Sequence, residues 1–311
     1  MLIRNLQYLV ALAHEKHFAR AAEACNVTQP TLSSGIKQLE EELGLLIVQR
    51  GQRFQGLTPE GARVLEWARR ILSDCDSLQQ EASELRAGLV GRLRLGAIPT
   101  TLPMVSALTS PFALKHPQVV ISVLSLSSID IQLGLDDFSL DAGLTYLENE
   151  PLTNVRAVPL YLERYFLFTP ASGPLARRQE VTWREAADVP LCLLTPDMQN
   201  RRIVNRHFHE AGADVRPHIE TNSIVALCSH LRSGQWSSVL PQTFLHLFGE
   251  AFGSHAVPLV QPEAAHRVGL VVPDREPLTP SARELLALVA DPEVLAGIAD
   301  AAPLAAGTRT P

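Results

Sequence analysis

Gln29, Pro30, Thr31, Ser33, Ser34 and Lys37 bring an amide, three hydroxyls and an ammonium group together in one short stretch. At helical spacing, Gln29, Thr31, Ser34 and Lys37 share one face. Leu32, Ile36, Leu39 and Leu43 recur at intervals of four, three and four and make the opposite face. Amide, hydroxyl and ammonium groups at the start of a helix can hydrogen-bond to base edges in a DNA major groove. Arg50 and Arg53, with Gln52, follow in a segment that reads as a short β-hairpin over 49–57. Guanidinium groups there would meet phosphate or the minor groove, and such contacts make affinity fall with salt. Periodicity alone leaves two other readings open: an amphipathic helix pair that only builds a core, and a solvated basic loop.

A second set of polar residues falls where strands should give way to helices. Thr100 and Thr101 stand at one such turn, Ser127 and Ser128 at another, Thr221 and Asn222 at a third, and Gln199 and Asn200 at a further helix start. Ligands of open α/β sheets bind at strand ends, and helix N-termini with nearby hydroxyls suit an anion such as a carboxylate or inorganic oxyanion. Taken singly, each of these residues is also what an ordinary helix cap requires.

Other chemistries find little support. No G-x-S-x-G turn presents a serine nucleophile. His207 and His209 are two apart, which places them on different helix faces and disfavours a metal pair. Cys25, Cys75, Cys192 and Cys228 are scattered, with no C-x-x-C pair, and each has apolar neighbours. We expect no enzyme activity, no cofactor and no metal.

These groups need elements to hold them. The 311 residues are enough for two or three domains, and 46% apolar content is ample for their cores. A net charge of −6 argues against a general nucleic-acid binder but not against a local basic surface around Arg4, Arg20 and Lys37. The N-terminus lacks a signal peptide and no apolar run approaches a membrane span, so the sequence predicts a soluble, cytoplasmic protein. A first helix covers 2–15. Small residues Ala19, Ala22 and Ala24 allow a second to pack closely, and Thr28 caps the third. Gly44 ends that helix. Thr58-Pro59-Glu60-Gly61 starts a long one with Val64, Ala68, Ile71, Cys75, Leu78, Ala82 and Leu85 on a single seam. The seam predicts pairing of two chains, which would set two reading heads about 34–36 Å apart on DNA. Beyond Gly88 and Gly91, strand–turn–helix units in series predict a mostly parallel α/β sheet.

The run F-x-x-A-A-x-x-x-x-V-T-Q-P-T-L-S-x-x-I-K-Q-L-E-x-x-L-G from Phe18, continued by QRGQRFQGLTPEG, closely resembles the winged helix-turn-helix of LysR-type transcriptional regulators. The resemblance implies an α + α/β chain: a winged helix-turn-helix over 1–58, a linker and dimerisation helix over 59–90, and a two-lobed effector domain over 91–302, similar to periplasmic binding proteins. Lobe I would take about 91–163 and 265–302, and lobe II about 164–264; the Ala, Gly, Thr and Pro beyond Pro303 predict a disordered tail over 303–311. It implies a sequence-specific DNA-binding regulator gated by a small-molecule effector, with promoter DNA as partner and a homodimer or homotetramer as the assembly. Thr100 and Ser128 best match the positions where effectors of the family are held. The sequence departs from the family at Ser34, where Arg is frequent, and at Gly35, which gives up a side chain that could reach DNA. Trp236 replaces the second glycine of a Gly-x-Gly, which predicts a small pocket. Peroxide-sensing members use a cysteine at a place that aligns near Met198, which Cys192 and Cys228 do not match well; redox gating is an alternative, alongside a small-molecule-binding or enzyme module with a dimerising N-terminal region. The first 44 residues look most like regulators associated with formate dehydrogenase operons, which makes formate the first effector candidate.

Overall fold

The computed structural model of the chain describes residues 2–49, 54–245 and 254–302. These fall into two compact units, one holding the residues up to Leu89 with Asp137–Ser139, the other the described remainder from Val90.

The first unit is built on helices α1 (Ile3–Glu15), α2 (Phe18–Ala24), α3 (Gln29–Leu43) and α4 (Pro59–Ala87). Leu6, Leu9 and Leu12 of α1 are buried against Leu32, Ile36 and Leu39 of α3, and Ala21 and Ala22 let α2 approach closely. Full burial contributes roughly 2 kcal/mol for each such leucine. Leu43, predicted for the same face, is instead exposed at the last turn. The Thr28 hydroxyl accepts from the Thr31 N–H and caps α3; Gly44, at φ 69°, takes the left-handed position that ends it. The Glu40 carboxylate accepts the N–H groups of Ile47 at 2.7 Å and Val48 at 3.0 Å, tying α3 to the next segment. Val48 pairs antiparallel with Leu57, which forms the base of the predicted hairpin. Its tip, with Arg50 and Arg53, lies outside the described residues, as does the predicted tail over 303–311. Thr58 caps α4 by accepting from the Gly61 N–H at 2.9 Å.

The second unit runs β1 (Gly91–Ala97), a 3-10 turn (Pro99–Met104), α5 (Val105–Lys115), β2 (Val119–Ser125), α6 (Ser128–Asp136), β3 (Ala142–Tyr146) and β4 (Val155–Pro170). It continues with β5 (Val181–Thr182), α7 (Trp183–Ala186), β6 (Cys192–Leu194), α8 (Gln199–Glu210), β7 (Ile219–Thr221), α9 (Ile224–Arg232) and β8 (Ser238–Pro241). It closes with β9 (Ser254–Val260), β10 (Ala265–Pro273), α10 (Pro280–Val289) and α11 (Pro292–Ala301).

Its main sheet has the order β2-β1-β3-β10-β4-β9-β5, with β8 also on β4. Only part of it is parallel, contrary to the prediction. β1 pairs parallel with β2 and β3, but β10 runs antiparallel to both β3 and β4, and β4 runs antiparallel to β8 and β9. The reason is the return of the chain: β10 re-enters the first lobe from the second and must lie opposite to its neighbours. β4 links the two lobes. Val155 to Arg164 pair with β10, and Tyr165 to Pro170 pair with β8 and β9. Cys192–Leu194 and Ile219–Thr221 make a separate parallel pair in the second lobe.

Candidate functional site

On α3, Gln29, Pro30, Thr31, Ser33, Ser34 and Lys37 are all exposed, while Leu32, Ile36 and Leu39 beneath them are buried. The polar face is therefore held out by a helix whose other face is fixed in the core. Thr31 is partly committed, since its hydroxyl lies 2.8 Å from that of Thr28. Lys37 has a loose i,i+4 pairing with Glu41 at 3.5 Å, both side chains being well exposed; such a pair holds little energy and releases the ammonium readily. Gly35 corrects the sequence reading. It is buried, and a Cβ there would stand 2.6 Å from Tyr8 Cδ2 and 2.8 Å from Asn5 Oδ1. No side chain at position 35 could face outward; the glycine lets α3 close onto α1.

In the second unit the predicted effector residues separate into three groups. Ser128 and Gln199 line a cavity of about 450 Å³ whose other walls include Ile129, Leu133, Tyr146 and Leu152. Thr100 and Asn200 are buried one layer deeper and converge on the Tyr146 hydroxyl, Asn200 Nδ2 donating at 3.1 Å and Thr100 Oγ1 lying at 3.4 Å. The remaining four act locally. Thr101 donates to the Ile98 carbonyl, and Ser127 accepts from the Asp130 N–H within the first turn of α6. Thr221 accepts from the Ser223 N–H at the end of β7, and Asn222 is exposed. Of these four, Ser127 caps its own helix, and Thr101 and Thr221 make local hydrogen bonds to backbone. At about 450 Å³ the cavity lies toward the small end of the roughly 300–1,000 Å³ usual for ligand pockets. Trp236 packs on the second-lobe core cluster that includes Phe168, Leu194 and Leu227, with its ring tilted 46° to that of His218, and it is not among the residues lining the cavity.

Three features of this region carry no local sequence signal. Glu150, in the connection between β3 and β4, accepts from Ser128 Oγ at 2.8 Å through Oε2 and from Arg202 Nε at 2.7 Å through Oε1. Glu163 is fully buried on β4 and accepts from the Tyr146 hydroxyl. Burial pushes its carboxyl up to about 8, the Tyr146 hydrogen bond only partly opposing this, so the acid is largely neutral near pH 7. His207 of α8 and His266 of β10 meet Nε2 to Nε2 at 2.9 Å. Burial holds both below the usual histidine range, His266 at about 4, so one neutral ring donates to the other. All three pairings join residues far apart in sequence. Among the described residues no cluster of three or more metal-ligating side chains occurs, and no helix is long and apolar enough to cross a membrane.

Residues 3–62 match the family model "Bacterial regulatory helix-turn-helix protein, lysR family", and residues 86–292 match "LysR substrate binding domain". The chain is 31% identical over 279 residues to the DNA-binding transcriptional dual regulator OxyR of Escherichia coli K12, covering 89% of this chain and 91% of that one. A full-length OxyR from Pseudomonas aeruginosa, solved as a cysteine-to-aspartate variant, shares 28% identity and superposes with a TM-score of 0.72, covering 96% of this chain and 97% of that one. Full-length CbnR solved with its target DNA has the same fold, at 20% identity and a TM-score of 0.64, covering 97% of this chain and 99% of that one. The chain belongs to the LysR family: it is a DNA-binding transcription regulator with an effector-binding domain, and not an enzyme.

Proposed function

We propose that Gln29, Pro30, Thr31, Ser33, Ser34 and Lys37 read promoter DNA, with Arg50 and Arg53 on flanking phosphates, in the cytoplasm. The observation that carries this is the segregation of α3 up to Leu39: Gln29, Pro30, Thr31, Ser33, Ser34 and Lys37 are exposed, while Leu32, Ile36, Leu39 and Gly35 are buried. The domain limits follow as 1–58 for DNA reading, 59–90 for pairing through α4, and 91–302 for effector binding. The cleft holding Ser128, Gln199, Asn200 and Thr100 is the effector site, and two α4-paired dimers make the working tetramer. Titrating the full-length chain against duplex from upstream of its own gene and against a scrambled duplex, at one fixed salt concentration, tests the reading. We expect discrimination of about a thousandfold or more. Equal affinity for the two duplexes would overturn it.

The similarity to peroxide-responsive activators, named so in Pectobacterium and Escherichia relatives, raises redox gating as a second mode. The thiols here favour ligand gating instead. Cys192 and Cys228 are buried in the second lobe, where loss of solvent pushes them up to about 11 and about 12. Neither holds an appreciable thiolate fraction at neutral pH, and thiolate is the form that attacks peroxide. Formate, drawn from the resemblance of the first 44 residues, is one ligand to test. It would fill only a small part of a 450 Å³ cavity.

A further inference from the structure

The cavity beside α6 and α8 already contains a carboxylate, and it belongs to the protein. Glu150 reaches from the β3–β4 connection to Ser128, the first residue of α6, and to Arg202, in the first turn of α8. Two helix N-termini and a guanidinium make this the natural seat of an anion. Arg202 is preset for the role: its Nη1 donates to the carbonyls of Pro196 at 3.0 Å and Asp197 at 2.7 Å, which leaves the Nε/Nη2 edge to present. That edge fits both oxygens of one carboxylate, yet a single oxygen of Glu150 takes both of its donors.

Two further observations point to a missing occupant. Gln199 lines the cavity and is only 3% exposed, and its Oε1 has no hydrogen-bond partner among the described residues while its Nε2 donates to the Glu148 carbonyl. An unmet buried acceptor costs about 1–3 kcal/mol unless a donor reaches it. Ile129 and Leu133 line the same cavity and are both more than half exposed, which gives it an apolar wall open to a ligand.

We propose that Glu150 is a built-in stand-in for the acid group of the effector, and that the effector is an organic acid with an apolar body of several carbons. Its carboxylate displaces Glu150 from Arg202 and Ser128, its body covers Ile129, Leu133 and Leu152, and a donor group on it meets Gln199. Displacement frees the segment between β3 and β4, two strands that both pair with β10, so occupancy is felt by the sheet that joins the lobes. This inference rests on the reading of the cleft as the effector site and names the ligand class that site takes.

The test is a thermal-shift series on the full-length chain with straight-chain monocarboxylates from formate to octanoate and their primary amides, in wild type, Glu150→Gln and Arg202→Gln. We expect the midpoint to rise with chain length for acids and not for amides. Glu150→Gln should tighten acid binding about tenfold, because the internal competitor is gone, and Arg202→Gln should abolish the acid response. Opposite signs from the two variants are not produced by general destabilisation. Equal responses to acid and amide, a response to formate as large as that to hexanoate, an unchanged or weaker acid response in Glu150→Gln, an acid response kept in Arg202→Gln, or no response to any acid in both wild type and Glu150→Gln would overturn the proposal. Acid binding that leaves affinity for the promoter duplex unchanged would instead remove the gating role of the cleft and keep the acid site.

Discussion

Gly35 of α3 lies against the Tyr8 ring of α1, with no room for even a methyl group between them. Gly35→Ala tests this contact. On propensity alone the change should stabilise α3 by about 1 kcal/mol. Overpacking of a closed contact costs typically 1–3 kcal/mol, so the net outcome expected is a lower melting midpoint and weaker DNA binding. A raised midpoint with unaltered binding would show that α1 and α3 separate at no cost.

Lys37 bears on electrostatics alone. Its ammonium is exposed and held only by a surface pairing with Glu41. If it meets phosphate, Lys37→Ala should reduce the slope of log affinity against log salt by about 0.9. Fluorescence anisotropy over a salt series reads this directly. An unchanged slope with weaker binding would assign Lys37 to base contact instead.

Local pattern was legible in the sequence; long-range pairing was not. The caps of α3 and α4 at Thr28 and Thr58 follow from residue type and position, and so does the buried stripe of Leu32, Ile36 and Leu39. Helix propensity treats Gly35 as a cost, whereas its environment is set by Tyr8, 27 residues away. The mixed sheet was missed because strand direction depends on where β10 re-enters, which no local window contains. Hydroxyls at strand ends can be read from the sequence, but their type cannot separate Ser128, which lines a cavity, from Ser127, which caps its own helix. Glu150, Arg202, Glu163 and His266 carried no signal, since a charge in a polar connection and one inside a core look alike until the chain folds.

Leu78 and Leu85 of α4 are 70% and 84% exposed, although they continue the seam whose first members pack in the first unit. An apolar stripe left open over the last turns of a long helix requires a partner. Leu78→Asp in the full-length chain should reduce the assembly by one step, a tetramer becoming dimers held through the effector domains. Sedimentation velocity at micromolar concentration measures this. An unaltered sedimentation coefficient would show that the stripe is not an assembly surface.

The Glu163 carboxyl stands at about 8 because burial disfavours its charge. Its ordinary value in an unfolded chain is about 4.3. Between those values the folded state holds a proton that the unfolded state has released, so stability falls as pH rises through this window and levels off above about 8. Glu163→Gln replaces the acid with a neutral group of the same shape, keeps an acceptor for the Tyr146 hydroxyl and removes that titration. The variant and the wild type should therefore differ little near pH 4.5, and the variant should gain relative stability on the order of a few kcal/mol by pH 8. His207 and His266 titrate in the opposite sense. Held neutral by burial, they withdraw stability as pH falls below about 6.5. Their contribution is common to both proteins and cancels in the difference. Urea midpoints of the two proteins at half-unit steps from pH 4.5 to 8.5 give that difference, and a difference independent of pH would mean that Glu163 is ionised throughout.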